Sequence, residues 1–294
     1  MERLIQNYHF DEDQKLLQEM KETIYSNPAA MKYLRQNKIS DEVIENEIVK
    51  IYDFVSDLNF CKKCPGLSAC NKQTPRLCTR ITYQNGVISR ELVPCKKYLE
   101  FIKFQSQFKV RDFPDEWLNT EIKKMDKTAE RKEAIEKYTK YFKGENSEWL
   151  YLMGEEGTGR SFLAANIAID IAKKDLGPVS FIDVSSRFKE LASTKDNDKF
   201  NALLESYASV PVLVLDDLGN EYKSDFVREN ILFAILNKRA KKHLYTIITS
   251  DFNINDIAYM YQTNQASKPK AEQIKRLLKR MCGQEINQGN ISVY

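Results

Sequence analysis

A glycine-rich segment in the second half of the chain strongly limits the folds open to it. The segment follows an apolar run, precedes a helical pattern over residues 162–173, and reads Gly154-Glu155-Glu156-Gly157-Thr158-Gly159-Arg160-Ser161. It fits the phosphate-loop pattern G-x-x-x-x-G-K-[ST] except at the lysine position, which is Arg160. Glycines let backbone N–H groups and the amino end of the next helix face phosphates. We therefore predict a strand–loop–helix unit that binds ATP, rather than a tight turn without a ligand. The predicted nucleotide-binding residues are Gly154, Gly157, Thr158, Gly159, Arg160 and Ser161.

The last two residues of this segment bear on the chemistry. Ser161 would place its hydroxyl on Mg²⁺. Arg160 keeps the positive charge of lysine but is planar and bulkier, so the exchange is not conservative. We therefore expect nucleotide binding to be retained more readily than hydrolysis.

Four short apolar runs alternate with helical patterns around this loop. The runs are Trp149–Met153, Val179–Ile182, Val212–Leu215 and Tyr245–Thr249. Largely apolar strands separated by helices are typical of a parallel sheet that is covered on both faces. The second half of the chain is therefore predicted to be an α/β domain.

Acidic residues follow two of these runs. Asp216 and Asp217 come directly after the third run, and Asp251 follows the fourth. Because ligands collect at the carboxyl edge of parallel strands, all three would reach the phosphate loop. Asp216 is predicted to coordinate Mg²⁺ and Asp217 to polarise the attacking water, the alternative being loop aspartates that cap a helix. Arg280 is a candidate for reaching a neighbouring subunit's γ-phosphate, although a basic helix face explains its spacing equally well.

A cysteine cluster characterises the first half of the chain. Five of the six cysteines lie within the 35 residues from Cys61 to Cys95. No apolar run approaches the ~20 residues of a membrane span, and the amino terminus lacks the apolar stretch of a signal peptide. We therefore expect a cytoplasmic protein with reduced thiols, in which such a cluster indicates Zn²⁺ rather than disulfides. The predicted ligands of this structural zinc are Cys61, Cys64, Cys78 and Cys95, with Cys70 spare; unliganded thiols are the alternative.

Composition shifts divide the chain into three parts. Residues 1–106 combine helices with the cysteine region, where Asn85-Gly86 predicts a hairpin turn. Within them, Ser40 is a helix-capping candidate, and Ile44, Ile48, Ile51 and Val55 recur at helical spacing. Residues 107–127 are polar and irregular and are predicted to be a linker, followed by the nucleotide-binding domain at residues 128–294.

The overall charge is nearly balanced, with 45 basic and 42 acidic residues. Any contact with DNA must therefore come from a local patch. Two basic patches are candidates for this contact, and the alternative is that either is ordinary solvated surface. They comprise Lys238, Arg239, Lys241 and Lys242, and Lys268, Lys270 and Lys275.

Taken together, these features resemble the DnaI-type family of primosomal helicase loaders. The resemblance rests on the helical start, the Cys-x-x-Cys-Pro-Gly-Leu segment at residues 61–67, the phosphate loop, and Leu-Asp-Asp-Leu-Gly at residues 215–219. It implies an AAA+ ATPase domain preceded by a small helical zinc-binding domain that binds the replicative hexameric DNA helicase. It further implies contacts with single-stranded DNA and other primosome proteins, with a homo-oligomer as an option and no membrane association. Residue by residue, it places Asp251 at the sensor-1 position and Arg280 at the arginine finger.

Three departures from that family pattern predict weakened hydrolysis. Arg160 replaces the usual lysine, Asp251 stands where asparagine is usual, and no arginine or lysine follows Cys282. A non-hydrolysing ATP-binding adaptor of the primosome is therefore an alternative. A transposition-type helper ATPase is a second alternative, although it would resemble only the carboxy-terminal half.

Overall fold

The computed structural model describes residues 10–122, 125 and 128–289. The chain divides into two compact units, Met1–Lys103 and Phe104–Tyr294. No helix among the described residues is long and apolar enough to cross a membrane.

Helices and one hairpin make up the first unit. Its elements are α1 (Phe10–Tyr25), α2 (Pro28–Gln36), α3 (Asp41–Asn46), α4 (Ile48–Lys62), β1 (Leu77–Gln84), β2 (Val87–Pro94) and α5 (Lys96–Ser106), which begins in this unit. Helix α3 starts where expected, because the Ser40 hydroxyl accepts the Val43 N–H. The four isoleucine and valine positions predicted to share a helical face are all buried. They lie on two helices rather than one, because α3 ends and α4 begins on either side of Glu47.

The hairpin has the predicted turn. Strands β1 and β2 pair antiparallel, with Gln84 opposite Val87. Asn85 and Gly86 have φ angles of 51° and 80°. Positive φ at both positions is what a two-residue turn needs if its twist is to match that of the flanking strands. The hairpin places Ile81 and Ile88 in the same core as the helices.

An α/β arrangement forms the second unit, as predicted. Its strands are β3 (Phe108–Arg111), β4 (Leu150–Met153), β5 (Val179–Asp183), β6 (Val212–Asp216), β7 (Tyr245–Ser250) and β8 (Ile286–Asn287). Its helices are α6 (Ala129–Phe142), α7 (Arg160–Lys173), α8 (Val184–Ser193), α9 (Asn197–Ser209), α10 (Ala234–Lys241), α11 (Ile254–Met260) and α12 (Lys268–Cys282). Short 3-10 turns at Asp115–Asn119 and Gln265–Ser267 and a π-helical segment at Val227–Phe233 complete the unit.

The six strands form one parallel sheet. Their order is β3-β5-β6-β7-β4-β8, and every pairing is parallel. The four predicted apolar runs correspond to β4–β7. Side chains alternate between two cores: Leu150 and Leu152 pack on one face of the sheet, while Trp149 and Tyr151 pack on the other. This two-faced burial explains why these strands are almost wholly apolar.

The segment expected to be a linker needs correction. Residues 108–111 form edge strand β3 beside β5, and Asp115–Asn119 forms a 3-10 turn. Phe113 and Leu118 are buried in the sheet core. The prediction was wrong here because apolar residues spaced among polar ones in a short segment resemble a loop. The last linker positions, 123–124 and 126–127, lie outside the described residues.

Candidate nucleotide-binding site

The glycine-rich loop joins β4 to α7, as the sequence predicted. Gly159 adopts a left-handed conformation (φ 82°) immediately before α7 begins at Arg160. Gly154 has φ 153°, and a Cβ there would lie 2.9 Å from the Gly289 carbonyl oxygen. Only glycine fits such a position, since added atoms would collide with backbone. The Thr158 hydroxyl bonds the Glu155 carbonyl at 2.8 Å and closes the turn.

Backbone contacts with the two residues after β8 support this loop. The Glu155 N–H donates to the Gly289 carbonyl at 3.3 Å, and the Gln288 N–H donates to Met153 at 2.7 Å. The loop is therefore held from the β8 side as well as by its own turn.

Asp216 lies at the carboxyl end of β6, beside the serine of the phosphate loop. Its carboxylate accepts hydrogen bonds from Thr249, at 2.6 Å, and from Ser161. Burial raises the pKa of Asp216 to about 6, and nearby Asp217 and Asp183 add to the rise, while the two hydroxyl groups oppose it. A partly buried carboxylate next to a hydroxyl suits Mg²⁺, because a divalent cation would offset the burial penalty.

The Thr249 hydroxyl connects the two acidic residues. It donates to Asp216 and accepts the Asp217 N–H at 2.9 Å. Asp217 has φ 65°, a left-handed conformation that aspartate tolerates better than most residues. Burial raises the pKa of Asp217, and the charge of Asp251 raises it further. The sequence indicated the strand end at Thr249 but no role for its side chain.

Arg160 lies among these carboxylates. Its side chain is only 6% exposed, and it forms an ion pair with Asp251 through Nη2. The same nitrogen lies 3.9 Å from Asp217 Oδ1. Its other outer nitrogen, Nη1, is buried and has no hydrogen-bond partner among the described residues. The structure therefore brings together two residues that the sequence marked as separate departures.

A further carboxylate, Asp183, was missed by sequence reasoning. It ends β5, directly opposite Asp216 on β6. Its Oδ1 accepts the Ser186 N–H at 2.7 Å and caps α8. The signal available was its position after an apolar run, the same signal that marked Asp216.

Arg280 and the basic patches lie apart from this cluster of contacts. Arg280 is on the exposed side of α12, and within the described segments it has no ion pair with the loop residues. Its assignment as an arginine finger stays a prediction. Arg239, a candidate DNA-contacting residue, is instead fully buried and donates to the carbonyls of Tyr207, Val210 and Tyr245. The patch prediction was wrong for Arg239, because helix spacing alone does not distinguish a solvated arginine from a buried one.

The predicted zinc ligands lie around the start of the hairpin in the first unit. Cys61 Sγ and Cys78 Sγ are 3.7 Å apart. The Cys64 N–H bonds the Cys61 carbonyl, and the Cys95 N–H bonds the Arg76 carbonyl. Within the described parts of the chain, no three histidine, cysteine or acidic side chains are grouped closely enough to hold a metal ion. The zinc site and its four ligands therefore stay a prediction.

The chain belongs to the family of IstB-like ATP binding proteins, which it matches over residues 103–277. Residues 1–89 match a second family, the primosomal protein DnaI N-terminus.

Individual relatives agree with these matches. The replicative helicase loader DnaI of Bacillus subtilis (strain 168) is 24% identical over 278 residues, which cover 91% of this chain and 89% of that protein. A crystal structure of DnaI matches with a TM-score of 0.56 and 29% identity, over 62% of this chain and 97% of its own. The predicted resemblance to DnaI-type loaders is confirmed, as are the α/β fold and the ATP-binding class. The amino-terminal match favours a loader over a transposition-type helper.

Proposed function

We propose that this protein is an ATP-dependent loader that places a replicative hexameric DNA helicase on single-stranded DNA. The observation that carries the proposal is the cluster of Ser161, Asp216 and Arg160 at the carboxyl edge of the sheet. It occurs in a chain similar to the loader DnaI along nearly its whole length.

Each residue of the cluster has a chemical role in this proposal. The loop N–H groups would bind the phosphates of ATP, and Arg160 Nη1 would donate to a phosphate oxygen. Ser161 and Asp216 would hold Mg²⁺, which neutralises phosphate charge when bound. Asp217 would polarise the attacking water, and Arg280 would act on the nucleotide of a neighbouring copy in a homo-oligomer.

The first unit would bind the helicase and be stabilised by structural Zn²⁺. Four thiolates at Zn–S distances of 2.3 Å form a tetrahedron whose edges are about 3.8 Å. The 3.7 Å between Cys61 and Cys78 fits one such edge. Cys64 and Cys95 would supply the other two thiolates. Cys70 is the spare cysteine in this scheme, although backbone N–H groups of Arg76 and Lys72 lower the pKa of its thiol.

Single-stranded DNA and other primosome proteins would be the remaining partners, in the cytoplasm. With Arg239 buried, the basic side chains left for DNA in its region are Lys241 and Lys242, since Lys238 pairs with Glu205.

A loading assay on circular single-stranded DNA tests the proposal. A helicase ring can enter a circle only by opening, so retained helicase reports loading rather than threading from an end. We expect this protein with ATP and Mg²⁺ to increase the amount of cognate helicase that co-elutes with the circle. Ser161→Ala and Asp216→Asn should reduce that increase by about tenfold or more, since each removes a charge-assisted contact.

Asp198→Asn is a matched control, because Asp198 is an exposed aspartate at the start of α9 in the same unit. It should load like wild type. No gain in retained helicase with the wild-type protein would refute the proposed function.

A further inference from the structure

The arginine of the phosphate loop makes an ion pair with an aspartate at a neighbouring strand end. Arg160 stands at the lysine position of the phosphate-loop pattern, and Asp251 directly follows β7. The Arg160 guanidinium and the Asp251 carboxylate form an ion pair between the start of α7 and the end of β7. The residue that takes the place of the phosphate-loop lysine is therefore paired with a carboxylate.

The two ends of this contact are held differently. Asp251 Oδ2 accepts a hydrogen bond from Asn220 Nδ2 at 2.9 Å, so the carboxylate is also held from the loop after β6. Arg160 uses Nη2 for the ion pair, while its buried Nη1 has no partner among the described residues. A buried donor without a partner is costly, which indicates that a ligand completes it.

We propose that Asp251 is a positioning residue for Arg160, holding one arm of the guanidinium so that Nη1 is free to bind a nucleotide phosphate. The inference rests on the proposed function in that ATP is taken as the ligand. Residues 160 and 251 then act as one coupled pair, in which arginine needs the aspartate that orients it.

The chemistry of lysine and arginine explains why the pair must change together. A guanidinium has two outer nitrogens, so it can bind a carboxylate and a phosphate at once. Lysine has one nitrogen, which Asp251 would draw away from the phosphates. If Asp251 is neutralised while Arg160 is kept, Nη2 loses the ion pair that orients the guanidinium, so Nη1 is no longer held toward the phosphate. Either single substitution therefore removes the phosphate contact, and the double substitution restores it.

Equilibrium binding of ATP with Mg²⁺ to four full-length proteins tests this coupling. The proteins are wild type, Arg160→Lys, Asp251→Asn and the double variant, with affinity measured by titration calorimetry. We expect each single variant to bind at least about tenfold more weakly, the effect of losing one charge-assisted hydrogen bond. The double variant should bind within about threefold of wild type, because coupled residues are not additive. Rescue by a second substitution would not follow from a general loss of structure.

An ion pair between a buried arginine and an exposed aspartate in the same unit provides the control. Arg228 Nη1 binds Asp225 Oδ1 at 2.8 Å, and the arginine is 1% exposed. Arg228→Lys, Asp225→Asn and their double variant should bind ATP like wild type. If Asp251→Asn alone does not fold, the comparison of Arg160→Lys with the double variant still tests the inference. The double variant must then bind ATP more tightly than Arg160→Lys.

Three results would overturn the inference. They are a loss of ATP affinity in the double variant equal to the sum of the two single losses, tighter ATP binding by Asp251→Asn alone, or no ATP binding by wild type. The loading assay is independent of this comparison. A protein that shows the rescue but loads no helicase would contradict only the proposed function. A protein that loads helicase but shows additive losses would contradict only the coupling.

Discussion

Replacing Asp216 with asparagine should stabilise the metal-free protein at neutral pH. Burial raises the pKa of this carboxyl from its ordinary 3.8 to about 6, so the folded state prefers the protonated form. The unfolded chain ionises at the lower value, and stability is therefore lost as the pH rises from about 4 to about 6. A shift of this size corresponds to about 3 kcal/mol, which solvent screening at this partly exposed residue reduces to about 1–2 kcal/mol. Asparagine retains an acceptor for Thr249 but carries no charge.

Urea unfolding followed by tryptophan fluorescence measures this difference. Both tryptophans, Trp117 and Trp149, lie in the second unit, so the signal reports the unit that contains Asp216. Without Mg²⁺, Asp216→Asn should exceed wild type in unfolding free energy above about pH 6 and match it near pH 4. Asp198→Asn, which alters an exposed aspartate, should show no such gain. Equal or lower stability of Asp216→Asn at pH 7.5 would refute the reasoning from burial.

Three further predictions concern other parts of the chain. Gly154→Ala should weaken ATP binding by about tenfold or more in a calorimetric titration, because the added Cβ would lie 2.9 Å from the Gly289 carbonyl oxygen. Arg239→Met should lower the unfolding free energy by about 3 kcal/mol or more, since it leaves buried carbonyls without donors, while single-stranded DNA binding measured by anisotropy stays unchanged. Cys61→Ser should lose bound zinc, measured by metal analysis, and helicase binding, but not ATP binding, whereas Cys70→Ser should keep all three.

Periodicity and motif spacing predicted the elements with strong local signals. The four central strands, the hairpin turn at Asn85-Gly86 and the phosphate loop all appear where the sequence placed them. These features depend on local backbone geometry and on burial of both sheet faces. The two outer strands, β3 and β8, were not predicted. An edge strand has one paired side and few buried positions, so its apolar pattern is weak.

Side-chain partners could not be predicted in the same way. The sequence placed Asp251 within reach of the phosphate loop but did not pair it with Arg160, a pairing that follows from the adjacency of β4 and β7 in the sheet. No role was predicted for the side chains of Thr249 and Asp183, because a hydroxyl or a capping carboxylate acquires its role from the strand beside it. Arg239 was predicted to be exposed from its position in a basic helix, whereas tertiary packing buries it.

The position of the two-residue strand β8 affects the phosphate loop, because the residues that follow this strand contact the loop. This strand pairs with β4, and Gly289, two residues after it, supplies the carbonyl that accepts the Glu155 N–H. If β8 were displaced, β4 would become an exposed sheet edge and the first turn of the loop would lose its outer support. The rate of deuterium exchange at the Glu155 amide would therefore report whether β8 is paired with β4.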